Sequence, residues 1–171
     1  MKFRKLFKKV KNDIVYIFIV FIIAFFRMLP RKAAITAGSI FGRIIPFVAR
    51  KEVKLAEKHL KIAFGGKKSD KEIHRLAHET FRYMAMNFVD TVRLKVMNPD
   101  EVKRLCIPHN IDRLWEALGK GYGVICLSSH TGCWEFLGVY LAVIGVPISA
   151  IARRLYDPRL EKMLIETRTD K

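Results

Sequence analysis

Residues 14–26, IVYIFIVFIIAFF, are thirteen apolar positions in a row, relieved only by the hydroxyl of Tyr16. Directly before them, MKFRKLFKKVKND carries six cations and one acid. As a helix the run rises about 20 Å, short of the roughly 30 Å of bilayer hydrocarbon. Met28 and Leu29 extend it, Arg27 interrupts it and Pro30 ends it. A cleaved signal peptide has the same charged start and apolar middle. Here Arg27, Arg31 and Lys32 crowd the place where small cleavage-site residues belong, so the segment is expected to stay on the chain. A second apolar stretch, residues 33–49, sets Gly38 and Gly42 at GxxxG spacing, with Ala34 before them. Small residues at that interval let two helices approach closely in lipid, and they suit a buried helix with a glycine face equally well. Cations flank the first run on both sides, which favours a shallow hairpin or interfacial anchor over a clean span. The opening cluster places the N-terminus on the cytoplasmic side.

Charge narrows the partners. Residues 1–60 hold 14 Lys and Arg against 3 acids, most of the chain's surplus of +16. Such a half attracts anionic lipid, nucleic acid or an acidic protein. No recognition-helix or RNA-binding signature accompanies it, so no nucleic-acid partner is expected. Cys106, Cys126 and Cys133 are odd in number and lack CxxC spacing, which points to neither a disulfide framework nor a zinc cluster. No His, Asp or Glu cluster has ligand spacing, so no metal or other cofactor is expected.

From Arg50 the pattern turns amphipathic. Val53, Ala56, Leu60, Ala63 and Phe64 recur at helical intervals until GGKKS stops the helix. Ser69 opens a capping box with Glu72, and an apolar stripe from Ile73 to Phe88 runs on to about Leu94. Asn98-Pro99-Asp100 is a turn and a fresh cap. Beyond Pro108 a short helix closes at Gly119. YGVICLSS, residues 122–129, then reads as a buried strand, TGCWEFLGVYLAVIG as an apolar helix, and VPISAIA, residues 146–152, as a second strand. A last helix starts with Asp157 as cap and Pro158 in first position. Strand, helix, strand, helix is a βαβ unit with parallel strands. The expected fold class is therefore α/β: membrane-associated N-terminal helices, a helical segment, and a βαβ unit of a parallel-containing sheet.

In that frame His130 follows the carboxyl end of a strand, where open α/β sheets bind ligands. Glu135 lies five residues on, in the first turn of the next helix. Gly132 frees the loop to fold His130 back over that turn. Glu135 would then accept the imidazole Nδ1–H, leaving Nε2 to remove a proton from a substrate hydroxyl. Backbone amides at the helix start are placed to meet an oxyanion or a phosphate. His74 and Glu79 repeat the interval, but within one continuous helix, where an i, i+5 pair stands about 140° apart. They are read as surface residues. A rival reading makes Cys133 a nucleophile beside His130.

SSHTGCWEFLG, residues 128–138, resembles the H-x-G-x-W-E signature of the lipid A biosynthesis acyltransferases, the lauroyl and myristoyl transferases. These sit within the wider H-x4-[DE] lysophospholipid (glycerolipid) acyltransferase superfamily. The basic-apolar N-terminus, AEKHLKIAF, GYGVICLSSH and IARRLYDPRLEKMLIETR extend the likeness to most of the chain. The resemblance implies transfer of a fatty acyl group from acyl carrier protein to a hydroxyl of a lipid A precursor, on the cytoplasmic side of a bacterial inner membrane. It implies His130 as general base and Glu135 as its orienting partner. Thr131, Gly132, Arg153 and Arg154 are the implied substrate-binding residues, the two arginines toward phosphate or the acyl donor. Cys133, Thr131 and His59 depart from the residues usual in that family. The chain also stops at Lys171 where family members run on. Residues 1–49 are accordingly expected to be the anchor, and 50–171 the N-terminal part of a partial glycerolipid acyltransferase-like catalytic domain. Acylation of a lysophospholipid or glycolipid, or service as a membrane adaptor for acidic partners, are the alternatives.

Overall fold

The computed structural model describes residues 2–169, and its regular structure is helical. The elements are α1 (Lys2–Met28), α2 (Arg31–Val48), α3 (Arg50–Phe64) and α4 (Asp70–Arg93), a 3-10 turn (Leu94–Val96), then α5 (Pro99–Leu105), α6 (Asp112–Gly119), α7 (Trp134–Val143) and α8 (Pro158–Thr169). Two compact units share them, one ending at Arg93 and one beginning at Leu94. The boundary read from the sequence, after Ala49, falls inside the first unit, between α2 and α3.

The first unit is built on α4. Its start is the capping box seen in the sequence: Ser69 N–H and Oγ both donate to Glu72 Oε2 at 2.9 Å, and Glu72 N–H donates back to Ser69 Oγ at 3.4 Å. Gly65, left-handed at φ 52°, ends α3, so α3 and α4 fold back on each other. Along α2 the small residues face α4. Ala34 is fully buried, and a Cβ on Gly42 would stand 2.6 Å from Arg82 Cα, one on Gly38 2.7 Å from Val89 Cγ2. The GxxxG spacing thus serves close packing within the chain.

Where α1 ends, Pro30 has no N–H to offer the Phe26 carbonyl. Arg93 Nη1 supplies the missing donor at 2.7 Å and reaches the Leu29 carbonyl as well. Reciprocally, Arg27 Nε donates to the Val92 carbonyl at 2.7 Å. Arg31 grips Asp90 through two bonds of 2.9 and 2.8 Å. Each of the two helix C-termini is thereby met by a cation from the other.

The second unit centres on Leu94, Met97, Val102, Phe136, Val139, Tyr140, Leu141 and Val146. Asn98 caps α5 by accepting from Glu101 N–H at 2.8 Å, with Pro99 in the first helical position. Asp157 Oδ1 accepts from Arg159 N–H at 2.9 Å at the start of α8.

The expected βαβ unit is not there. Among the described residues no strand forms, and the stretches 122–129 and 146–152 are irregular. The α/β assignment is corrected to all-helical. Parallel strands hold only as part of a sheet covered on both faces, and no layer covers these: Ile125, Leu127 and Ile151 are 94%, 97% and 107% exposed. No single described helix is long and apolar enough to cross a membrane, although α2 and α3, bent by 94°, pass that test as a pair.

Two outcomes follow. Gly42→Val should lower the unfolding free energy by about 1–3 kcal/mol through overpacking, whereas Gly138→Ala, with nothing within 4 Å of the new Cβ, should raise it by up to about 1 kcal/mol; denaturant titration followed by circular dichroism measures both. The second concerns acid. Hydrogen bonds from Ser69 hold the Glu72 carboxyl below its usual range, and the Arg159 guanidinium and amide hold Asp157 down to about 2. Both folded values lie below the unfolded ones near 4. Their stabilisation is therefore complete above about pH 4 and lost as the pH falls through the folded values. The double variant Glu72→Gln, Asp157→Asn should show a flatter loss of helix between about pH 4 and 2.

Candidate active site

The segment between α6 and α7 turns on three left-handed glycines, Gly121, Gly123 and Gly132, at φ 78°, 75° and 65°. At Gly132 a Cβ would meet nothing within 4 Å, so glycine is required there for the backbone angle and not for space. This turn delivers His130 to the start of α7. The imidazole is exposed and lies against the Trp134 indole, ring centroids 4.9 Å apart. Beside it, Ser129 Oγ and Thr131 Oγ1 share a hydrogen bond of 2.7 Å.

Glu135 is the only charged side chain of α7. Burial of Phe136, Val139 and Tyr140 against the Leu94–Val102 region fixes the rotation of the helix, and Glu135 is left half-sheltered at the end nearest α8. There Arg168 takes both carboxylate oxygens, Nη2 to Oε1 at 2.6 Å and Nε to Oε2 at 2.9 Å. The side chains keep 15% exposure for Glu135 and 33% for Arg168. The hydrogen bonds that Arg168 donates to Glu135 raise the arginine's pKa above the ordinary value. A fork-to-fork pair of this kind fixes direction as well as distance.

The structure thus brings His130, Thr131, Gly132 and Glu135 to one helix start. His130 and Glu135 are not hydrogen-bonded to each other, because the carboxylate faces Arg168. Arg153 and Arg154 stand exposed on the irregular stretch before α8. The second His and Glu at the same interval separate as expected: His74 Nδ1 lies 2.6 Å from Glu57 Oε1, and Glu79 pairs with Arg82 at 2.6 Å. Cys133 is half-buried at the cap of α7.

Arg168 is the residue the sequence reading passed over. A single carboxylate on an otherwise apolar helix needs a cation when it is sheltered, and the arginine in the last turn of the next helix was the available signal.

A histidine loop, a tryptophan and a tethered glutamate thus share one helix start. By its matches to known proteins the chain is an acyltransferase. The chain belongs to the family described as bacterial lipid A biosynthesis acyltransferase, which it matches over residues 1–171. It is also similar to the phosphatidylinositol mannoside acyltransferase of Mycolicibacterium smegmatis, with 36% identity over 59 residues. That stretch is 34% of this chain and 19% of the relative. No solved structure gives a significant match.

Arg168→Gln leaves a sheltered carboxylate without its partner and should cost about 1–3 kcal/mol of stability. Arg168→Lys keeps the charge but loses the fork, and should fall between the two. Equal denaturation midpoints for all three proteins would show that the pair contributes nothing.

Proposed function

We propose that this chain moves a fatty acyl group from acyl carrier protein to a hydroxyl of a lipid A precursor, with His130 as the general base and Glu135 as its orienting partner. The observation that carries the reading is the H-x-G-x-W-E constellation, which sets the His130 ring on Trp134 directly before a Glu135 fixed in direction by Arg168. Each carboxylate oxygen has two lone pairs, and Arg168 uses one on each. The glutamate retains acceptor capacity for an imidazole N–H that swings toward it.

In the reaction, Nε2 of His130 takes the proton of the lipid hydroxyl as its oxygen attacks the thioester carbonyl. The tetrahedral oxyanion forms beside the N-terminal turn of α7, where the helix dipole favours negative charge. Collapse breaks the C–S bond, and the departing thiolate takes the proton from the imidazolium. An ester and a free carrier thiol result. Thr131, Gly132, Arg153 and Arg154 are assigned to the lipid and donor, the two arginines to their phosphates.

The same reading places the chain on the cytoplasmic face of a bacterial inner membrane. Its support is the exposed apolar surface of α1 and α2, including Phe18, Phe21, Phe41 and Phe47 at 55–68% exposure, together with the cations beside it. An acidic carrier protein suits the same basic half. A glycolipid acceptor is the second reading, favoured by the mannoside-acylating relative.

Membranes from cells making the chain, supplied with acyl carrier protein thioester, should acylate a tetra-acylated lipid A precursor. His130→Ala should reduce the rate about 100-fold or more, and His74→Ala should leave it near normal. Equal loss in the two variants would sink the assignment, and preference for a mannosylated phosphoinositide would install the second reading.

A further inference from the structure

Resting on the membrane-surface reading above, we propose that α1 and α2 lie along a single leaflet of an anionic bilayer, submerging their outward apolar faces, and that neither crosses it. The argument begins with α2. Its inner face is matched along its length by α4 running antiparallel. Asp90 meets Arg31 at one end, Arg82 meets Ser39 and Gly42 in the middle, and His78 meets Phe47 at the other end. Standing α2 along the bilayer normal would draw this row of charged and titratable groups into hydrocarbon, and such groups are expensive there. Laid in the plane, α2 turns Ile40, Phe41, Ile44, Phe47 and Val48 outward, all more than half exposed, while α4 remains toward water.

α1 is joined to the same frame at its C-terminus, through Arg27 to Val92 and Arg93 to Phe26. That end is therefore on the water side with α4. The other end is the basic stretch before Ile14. Between them the thirteen apolar residues span about 20 Å, too short to carry one basic end through roughly 30 Å of hydrocarbon. Phe7, Ile14, Ile17, Phe18, Phe21 and Met28 are 62–85% exposed, a stripe at helical spacing of the kind an interfacial helix sinks into the acyl boundary. With cations at both ends, anionic headgroups of one leaflet satisfy both.

The test uses the full chain made in bacterial cells, with Cys106, Cys126 and Cys133 replaced by Ser. A single reporter cysteine is introduced as Lys9→Cys or Lys51→Cys, both exposed positions. A membrane-impermeant maleimide is applied to sealed inside-out inner-membrane vesicles and to intact spheroplasts. Both reporters should react in the vesicles and neither in spheroplasts. Reaction of Lys9→Cys in spheroplasts while Lys51→Cys reacts only in the vesicles would mean that α1 crosses, and would overturn the proposal. A chain that does not sediment with membranes overturns the membrane reading itself, a separate outcome. The unmodified chain gives a second measurement: trypsin outside inside-out vesicles should cut within residues 2–11, and cutting there only from the spheroplast side would again overturn it.

Discussion

The first unit depends on one buried guanidinium. Proline at position 30 stops α1 but leaves the Phe26 carbonyl without its helical donor, in a place where water is scarce. Arg93, 7% exposed, fills that vacancy and gathers the Leu29 carbonyl at the same time. A carbonyl stranded there would cost about 1–3 kcal/mol. The arrangement also has its own expense, since Arg93 Nε is buried without a partner. Because Arg93 is the last residue of α4 and Arg27 returns the favour to Val92, the ends of α1 and α4 are tied together. The tie then sets where α2 starts, Arg31 and Asp90 hold that start, and the glycine face of α2 follows down α4 in a fixed register.

The helices were legible because their signals are local. Ser69 and Glu72, Gly65, Asn98 with Pro99, and Asp157 with Pro158 each announce a boundary through a hydrogen bond made within a few residues, and each bond is present. The strands were not legible for the opposite reason. An apolar run such as 122–129 becomes a strand only if a neighbour donates and accepts along its edge, and that information lies elsewhere in a fold. YGVICLSS has the composition of a buried strand, yet Ile125 and Leu127 stand in solvent. The stabilising arginines were invisible for a related reason: Arg93 meets residues 64 to 67 positions away, and no local spacing marks such a partner.

The candidate site divides in the same way. The left-handed Gly132, the placement of His130 at the start of α7 and the separation of His74 from Glu79 follow from spacing and backbone freedom, and the sequence carries both. The orientation of Glu135 does not follow, because it is decided by a residue 33 positions on. That dependence changes how the histidine and glutamate should be regarded. A carboxylate waiting alone for an imidazole would rotate freely and would be hydrated. One clamped by a bidentate guanidinium is held in a single rotamer, so it loses little further freedom when a second donor arrives. The clamp also leaves one lone pair free on each carboxylate oxygen, aimed in a fixed direction. Under the proposed mechanism, Arg168 prepares Glu135 for His130 rather than competing for it. The cost of sheltering the charge is met by the guanidinium before any substrate binds.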